Sequence, residues 1–359
     1  NKRETPADTS ISFSPSLSLN RSLSQTSYDK PVKLVDFSNK VYVAPLTTVG
    51  NLPFRRVLKE LGADITCGEM SVAFNLLQGQ NSEWALLKRH KSEDCFGVQI
   101  ASSTVERTQR TAMLLEDQIE SDFVDLNCAC PIDVMNDRGV GAALLNRPKR
   151  LLELVTSLTQ NLSRSVTVKL RTGWDDKSPS AHTILPMLQR ERERSKKIAA
   201  VMLHGRSRTQ RYSRLADWDY ILQVARAQDL SLDPVPVIGN GDIFSYTDWT
   251  SHRHLLASNM ASHETVEDLG LLDCAMIARG ALIKPWLPTE IKENRHWDIS
   301  ASERVEIMRK YVYYGLDHWG SDDQGVNTTR RFLLEWISFL HRYVPIGLLE
   351  REGEREREG

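Results

Sequence analysis

The chain has 359 residues, 40% of them hydrophobic and 26% charged, which supplies a sizeable core and excludes wholesale disorder. Its 46 Lys and Arg against 47 Asp and Glu leave a net charge of −1, so a uniformly basic coat is excluded and any basic stripe must be local. No run approaches the ~18 consecutive apolar residues of a membrane span, and no membrane partner is expected.

Residues 10–27 hold eight serines and scattered apolar residues, which predicts a solvated linker over 1–38. The same Ser- and Arg-containing, acid-poor composition would suit a transit-peptide remnant, and a start at Asn1 suggests a fragment or processed product. Eight short apolar runs follow: VYVA (41–44), ADIT (63–66), FGVQI (96–100), DFVDL (122–126), VTVKL (166–170), AAVML (199–203), VPVI (235–238) and DCAMIA (273–278). Most are continuous rather than alternating, as expected of strands buried on both faces. Helical periodicity separates them, most clearly in Pro148 followed by Leu151, Leu154, Val155 and Leu158. Eight strands alternating with helices predict a parallel (β/α)8 TIM barrel over 39–298; an open doubly wound sheet usually stops at five or six.

Within that span, RERERSKK (190–197) reads as an exposed helix face, and the polar stretch 251–267 as an irregular insertion after strand seven. Beyond it, Val305, Met308, Val312 and Leu316, then Phe332, Leu333, Trp336 and Leu340, repeat at helical spacing. These predict a small all-helical domain over 299–349, ahead of a charged tail at 350–359. The five cysteines, Cys67, Cys95, Cys128, Cys130 and Cys274, are odd in number and contain no C-x-x-C. That pattern fits a reducing compartment, cytoplasmic or nuclear, and no metal site is expected.

A barrel of this kind works at the carboxyl ends of its strands. Gly-rich Gly239-Asn240-Gly241-Asp242 after strand seven and Ala278-Arg279-Gly280 after strand eight suit a phosphate site, although the first is also a plausible tight turn. Lys169 and Gln99 lie within apolar strands and need partners. An internal salt bridge would serve Lys169; a flat carbonyl-rich ring with a phosphate tail, such as FMN, would serve both.

The stretches VAPLTTVGNLPFRR (43–56), CGEM (67–70), DLNCACPID (125–133), VKLRTG (168–173), LHGRSRTQRY (203–212), ADWDY (216–220), GNGD (239–242) and ARGALIKPW (278–286) resemble the tRNA-dihydrouridine synthases. The resemblance spans about 40–345, includes HWG (318–320) and HRYVP (341–345), and points to the eukaryotic branch modifying a variable-loop uridine, position 47. It implies an FMN barrel, refilled by NADPH or NADH, with a helical tRNA-binding domain. Pro45, Leu46 and Thr47 would back the flavin, and Gln99, Asn127 and Lys169 would contact it. His204 would lie beside the cofactor, and Asn240, Gly241, Asp242, Ala278, Arg279 and Gly280 would hold its phosphate. Cys130 falls at the catalytic cysteine before proline, where a thiol must be protonated to serve as the acid at uracil C5; otherwise it is a small buried hydrophobe.

Two departures stand out: Ala129 replaces the glycine before that cysteine, and the helical part is expected to fall short of full length. The zinc-binding modules that often precede this branch's barrel are not in the sequence. Arg206, Arg208, Arg211, Arg330, Arg331 and Arg342 are the candidate tRNA contacts, if they are not ordinary solvated arginines. A monomer is expected, and messenger RNA as a further substrate is left open. Two rivals remain: an FMN barrel oxidising or reducing a free metabolite, and a catalytically silent RNA-binding barrel.

Overall fold

Each of the eight apolar runs forms a strand in the computed structural model, which describes residues 32, 34–261, 265 and 268–345. The strands are β1 (Lys40–Val43), β2 (Ile65–Cys67), β4 (Cys95–Ala101), β5 (Phe123–Asn127), β6 (Ser165–Arg171), β7 (Ile198–His204), β8 (Val237–Asn240) and β9 (Cys274–Ile277). A two-residue strand, β3 (Ser71–Val72), continues β2 along the edge of β4. All pairings between these strands are parallel, β1 bonds β9, and β2 bonds β4, so the sheet closes into an eight-position barrel.

The helices are α1 (Leu52–Glu60), α2 (Ala73–Leu77), α3 (Asn81–Ala85), α4 (Val105–Gln118), α5 (Asp133–Asp137), α6 (Pro148–Asn161), α7 (Ala181–Ser195), α8 (Trp218–Arg226), α9 (Tyr246–Asn259), α10 (Arg279–Ile283), α11 (Leu287–Glu293), α12 (Ala301–Trp319) and α13 (Asp323–Leu340). A 3-10 segment, Gly141–Asn146, precedes α6. In α6 proline occupies the first turn, where no amide donor is needed, and Leu151, Leu154, Val155 and Leu158 are all buried.

Three expectations are corrected. Residues 34–38, assigned to the linker, reach the barrel: Phe37 is buried and meets Tyr42 and Phe123 at centroid distances of 5.9 and 5.5 Å. Residues 1–31 and 33 of that segment, the end of the helical domain from 346 and the charged tail at 350–359 lie outside the described residues. The stretch 251–259 is not irregular but the second half of α9, capped by Ser245 accepting from the Asp248 amide. In 190–197, Glu191 and Lys197 are buried; Glu191 accepts from Thr156 and Thr159, and Lys197 Nζ donates to the carbonyls of Thr159 and Leu162.

Helices α12 and α13 dock on the barrel through large aromatics. Trp336 is fully buried, meets Phe54 and Tyr311 at 5.2 and 5.1 Å, and donates its indole N–H to the Leu282 carbonyl at 3.1 Å. Helix α12 begins with a complete Ser300–Glu303 capping box, which fixes where it starts.

Candidate active site at the strand ends

Side chains alternate in and out along a strand, so residues two apart share the barrel interior. Here the interior changes character along its axis. Tyr42, Phe123 and Phe37 fill the amino end; Gln99, Asp125 and Thr167 form a polar middle layer; Asn127, Lys169, His204 and Asn240 stand nearest the mouth. Register produces these layers, with Asp125 opposite both Gln99 and Thr167, Asn127 opposite Lys169, and His204 opposite Asn240.

A directed chain of hydrogen bonds runs from the buried centre to the Cys130 backbone. Thr167 Oγ1 and Gln99 Nε2 donate to the two Asp125 oxygens, each at 2.7 Å. Asn127 Nδ2 donates to Gln99 Oε1 at 2.8 Å, and Asn127 Oδ1 accepts from the amides of Ala129 and Cys130 at 3.1 and 2.8 Å. An ionised carboxylate only accepts, so it dictates which end of the Gln99 amide faces it. That choice orients Asn127 and leaves its oxygen for Cys130. Burial pushes the Asp125 carboxyl up to about 6, while the bonds from Gln99 and Thr167 and the Lys169 cation pull it down. Asp125→Asn places a donor in the chain, and the expected result is roughly a tenfold fall in turnover, with faster hydrogen exchange at the Ala129 and Cys130 amides. Unchanged exchange at both amides would show that Asp125 does not set this geometry.

Cys130 is half-buried, and that burial pushes its thiol up against the opposing Arg171 charge, so it stays protonated at neutral pH. Arg171 clamps the same loop, Nε donating to the Ala129 carbonyl at 2.6 Å and Nη1 to the Ser207 carbonyl at 3.0 Å. The Ala142 amide donates to the Cys130 carbonyl at 3.0 Å. Gly141 (φ 66°) makes that approach possible, because a Cβ there would stand 2.8 Å from the Cys130 oxygen. Ala129 does not adopt positive φ, so alanine in place of glycine strains nothing. Cys128 is fully buried, with its thiol pushed well up.

Lys169 is buried at the mouth, and the internal salt bridge left open by the sequence is not formed: it makes no ion pair among the described residues. Burial lowers its ammonium to about 7, Arg171 adding to the effect and Asp125 opposing it. The fold therefore binds fewer protons than the unfolded chain between about pH 7 and 10.5, and stability from this group rises with pH across that window. Lys169→Met is expected to raise the Tm of flavin-free protein at about pH 6, a gain that fades toward about pH 10. A gain independent of pH would contradict this sign.

On the neighbouring strands β7 and β8, His204 Nδ1 lies 3.0 Å from Asn240 Oδ1, while Asn240 Nδ2 donates to the Met276 carbonyl at 2.9 Å. Burial, aided by Lys169, Arg171 and Arg206, holds His204 well below the usual imidazole range, so the ring is neutral. Asn240 offers only its oxygen, so Nδ1 carries the proton and Nε2 is an acceptor, buried and without a partner.

Asn240 and Arg279 line one recess together with His204, Gly241, Asp242, Ala278 and Gly280. It holds about 20 Å³, room for roughly one water. It is narrow because Arg279 lies 3.6 Å from Asp242 Oδ1 and 3.8 Å over the Tyr212 ring. Gly280 permits the close crossing of α10 and the β8 loop, since a Cβ would meet the Ile243 carbonyl oxygen at 2.2 Å. Pro45, Leu46 and Thr47 follow β1 at the same end of the barrel.

The arginines need correction. Arg206 is buried rather than on an RNA-facing surface: its Nη2 donates to both Asp242 oxygens at 2.7 and 2.6 Å and its Nε to the Arg214 carbonyl at 2.7 Å. The Asp242 carboxylate is thus engaged by cations rather than free to face a phosphate. Arg208 donates to Asp133 and stacks 4.4 Å over Trp174, and Arg211 lies 3.8 Å from Asp133, so both tie the β7 loop to α5. Arg330, Arg331 and Arg342 are exposed and make no ion pair among the described residues; the latter two lie 4.5 and 5.3 Å over Phe332 and Phe339. A recess of about 310 Å³ beside Cys130 is lined by Pro131, Ile132, Asp133, Arg171, Arg211 and Tyr212. Sequence reasoning missed Asp125, Arg171 and Tyr212 as site residues. An acid inside the apolar run 122–126 was the available signal for Asp125.

Residues 42–341 match the family model described as dihydrouridine synthase (Dus). The chain is 52% identical over 326 residues to a tRNA-dihydrouridine(47) synthase (NAD(P)(+))-like protein of Rattus norvegicus, covering 91% of this chain and 47% of that protein. Its Homo sapiens counterpart is 52% identical over 326 residues, at 91% and 46% coverage. The tRNA-dihydrouridine(47) synthase (NAD(P)(+)) of Coprinopsis cinerea is 48% identical over 325 residues, at 88% and 45%. The chain thus spans about half the length of the curated relatives it matches.

Proposed function

This chain belongs to the dihydrouridine synthase family, and from that premise we propose that it reduces the C5–C6 bond of a tRNA uridine, in the variable loop at position 47, using FMN and NADPH or NADH. The observation that carries the reading is a half-buried thiol, kept protonated, on a residue whose backbone amide Asn127 holds, at the same barrel mouth as a buried lysine without an ion pair. Position 47 and the reductant are supported by the relatives' names.

The residues present fit a flavin. Lys169 lacks an ion pair, as the electron-rich edge of a ring requires of a buried cation, and Gln99 and Asn127 stand beside it. His204 Nε2 is a buried acceptor without a donor, which suits a sugar-alcohol hydroxyl. Asn240, Gly241, Ala278, Arg279 and Gly280 would hold the phosphate, with Asp242 orienting Arg279 and Arg206 around them. Pro45, Leu46 and Thr47 would back the ring. When bound and reduced, FMN would supply a hydride for uracil C6.

The remaining chemistry belongs to the chain. Cys130 delivers the proton to C5 and can do so because burial keeps its Sγ protonated. Asn127 and Arg171 hold the Cys130 loop from its amide and carbonyl sides. The recess lined by Arg171 and Tyr212 offers the extruded base an aromatic face and a cation next to that thiol. Exposed Arg330, Arg331 and Arg342 on and after α13 remain available to RNA phosphates.

Titration with FMN, followed by NADPH under anaerobic conditions, tests the cofactor half of the reading. The expected result is one flavin per chain, bleached on reduction. A protein that stays colourless at saturating FMN would contradict it and favour a silent RNA-binding barrel.

A further inference from the structure

Several arginines around this barrel are matched to acids: Arg110 to Glu106, Arg150 to Glu153, Arg164 to Glu116 and Arg89 to Asp122. Arg107 in the first turn of α4, Arg138 just past α5 and Arg147 just before α6 are not. All three are exposed and make no ion pair among the described residues; Arg107 contacts the Phe74 ring at 5.0 Å. In a chain of net charge −1, these charges make an anion-attracting field only by being local and unneutralised.

They also share a place. Two open recesses, of about 450 and 540 Å³, both include Arg138 and Ser103 in their walls. Arg107 lines the first and Arg147 the second, where Asp137 is the one lining carboxylate. Asn75, Gln78 and Asn146 add neutral polar groups along the walls. The pair of recesses follows the carboxyl end of β4 and flanks α5, the helix that leaves Cys130, so it opens on the catalytic face.

We propose that this double groove binds the phosphodiester backbone of the RNA whose uridine reaches Cys130, a site that rests on the reaction proposed above and adds its own grip to it. Planar guanidinium forks match phosphate oxygens bidentately, and side-chain amides serve sugar and phosphate without reading bases. The groove positions the RNA backbone rather than selecting sequence. Arg208 stacks on Trp174, which lines the second recess, but its charge and that of Arg211 are spent on Asp133.

The test is the triple variant Arg107→Ala, Arg138→Ala, Arg147→Ala, with Arg138→Glu as a second, single change. Its flavin content checks folding, and Arg110→Ala serves as the control. For an unmodified tRNA transcript the triple variant is expected to bind about 10–100-fold more weakly at low salt, with the slope of log affinity against log salt reduced by about 2–3. Arg138→Glu should weaken binding in the same direction, and the control should bind as wild type. If wild type makes dihydrouridine while the triple variant binds RNA as tightly and with the same salt slope, the groove assignment falls and the reaction stands. If wild type binds the transcript in the groove-dependent way without forming dihydrouridine, the reaction falls and the groove stands. No RNA binding by wild type overturns both.

Discussion

Cys130→Ala is expected to retain bound flavin and its reduction by NADPH, yet to lower dihydrouridine formation about 10²–10⁴-fold, the range general acid catalysis supplies. Of the two thiols between Asn127 and Pro131, Cys128 is fully buried and Cys130 is the partly exposed one, with its backbone fixed from both sides. Its protonation gives the prediction a second signature. Burial raises the thiol above the ordinary cysteine range, so wild-type turnover should hold across neutral pH and fall only in alkali beyond the range of an ordinary thiol. A rate that drops near pH 7 would mean a thiolate, not a thiol, and a different role for Cys130.

Asp242→Ala is expected to cost about 3–5 kcal/mol of stability, because it leaves the buried Arg206 guanidinium without its partner. Arg206 Nη2 bonds both Asp242 oxygens while its Nη1 is buried without an acceptor, so no other carboxylate already reaches the guanidinium. The double change Asp242→Ala, Arg206→Met should recover much of the loss, since an apolar side chain of similar reach removes the unpaired charge. Urea unfolding of wild type, Asp242→Ala, Arg206→Met and the double variant gives the cycle. A loss under about 1 kcal/mol in the single variant would show that water or Arg214 already compensates Arg206.

What the sequence revealed and what it hid follow from the range of each interaction. The barrel was legible because parallel strands buried on both faces read as continuous apolar runs, and all eight lie where those runs lie. Strand β3 was not, since two residues carry no period. Helix α9 was hidden because Trp249 is its one buried residue, so the face that normally betrays a surface helix is absent; Ser245 followed by Asp248 was its remaining sign. Lys169 stood out as a cation inside an apolar run, and Asp125 could have been read by the same logic. Arg206 could not: its burial depends on Asp242, 36 positions away, and a sequence does not display that pairing. The unpaired charges of Arg107, Arg138 and Arg147 were invisible for the same reason, since what distinguishes them is which acids fail to reach them.

The most direct test is to incubate the purified chain with FMN, NADPH and an unmodified tRNA transcript and to measure dihydrouridine by mass spectrometry of the digested RNA. One new dihydrouridine in the variable loop is expected, made by wild type and nearly absent with Cys130→Ala. Flavin-loaded, reducible protein that leaves every uridine of the transcript intact would contradict it.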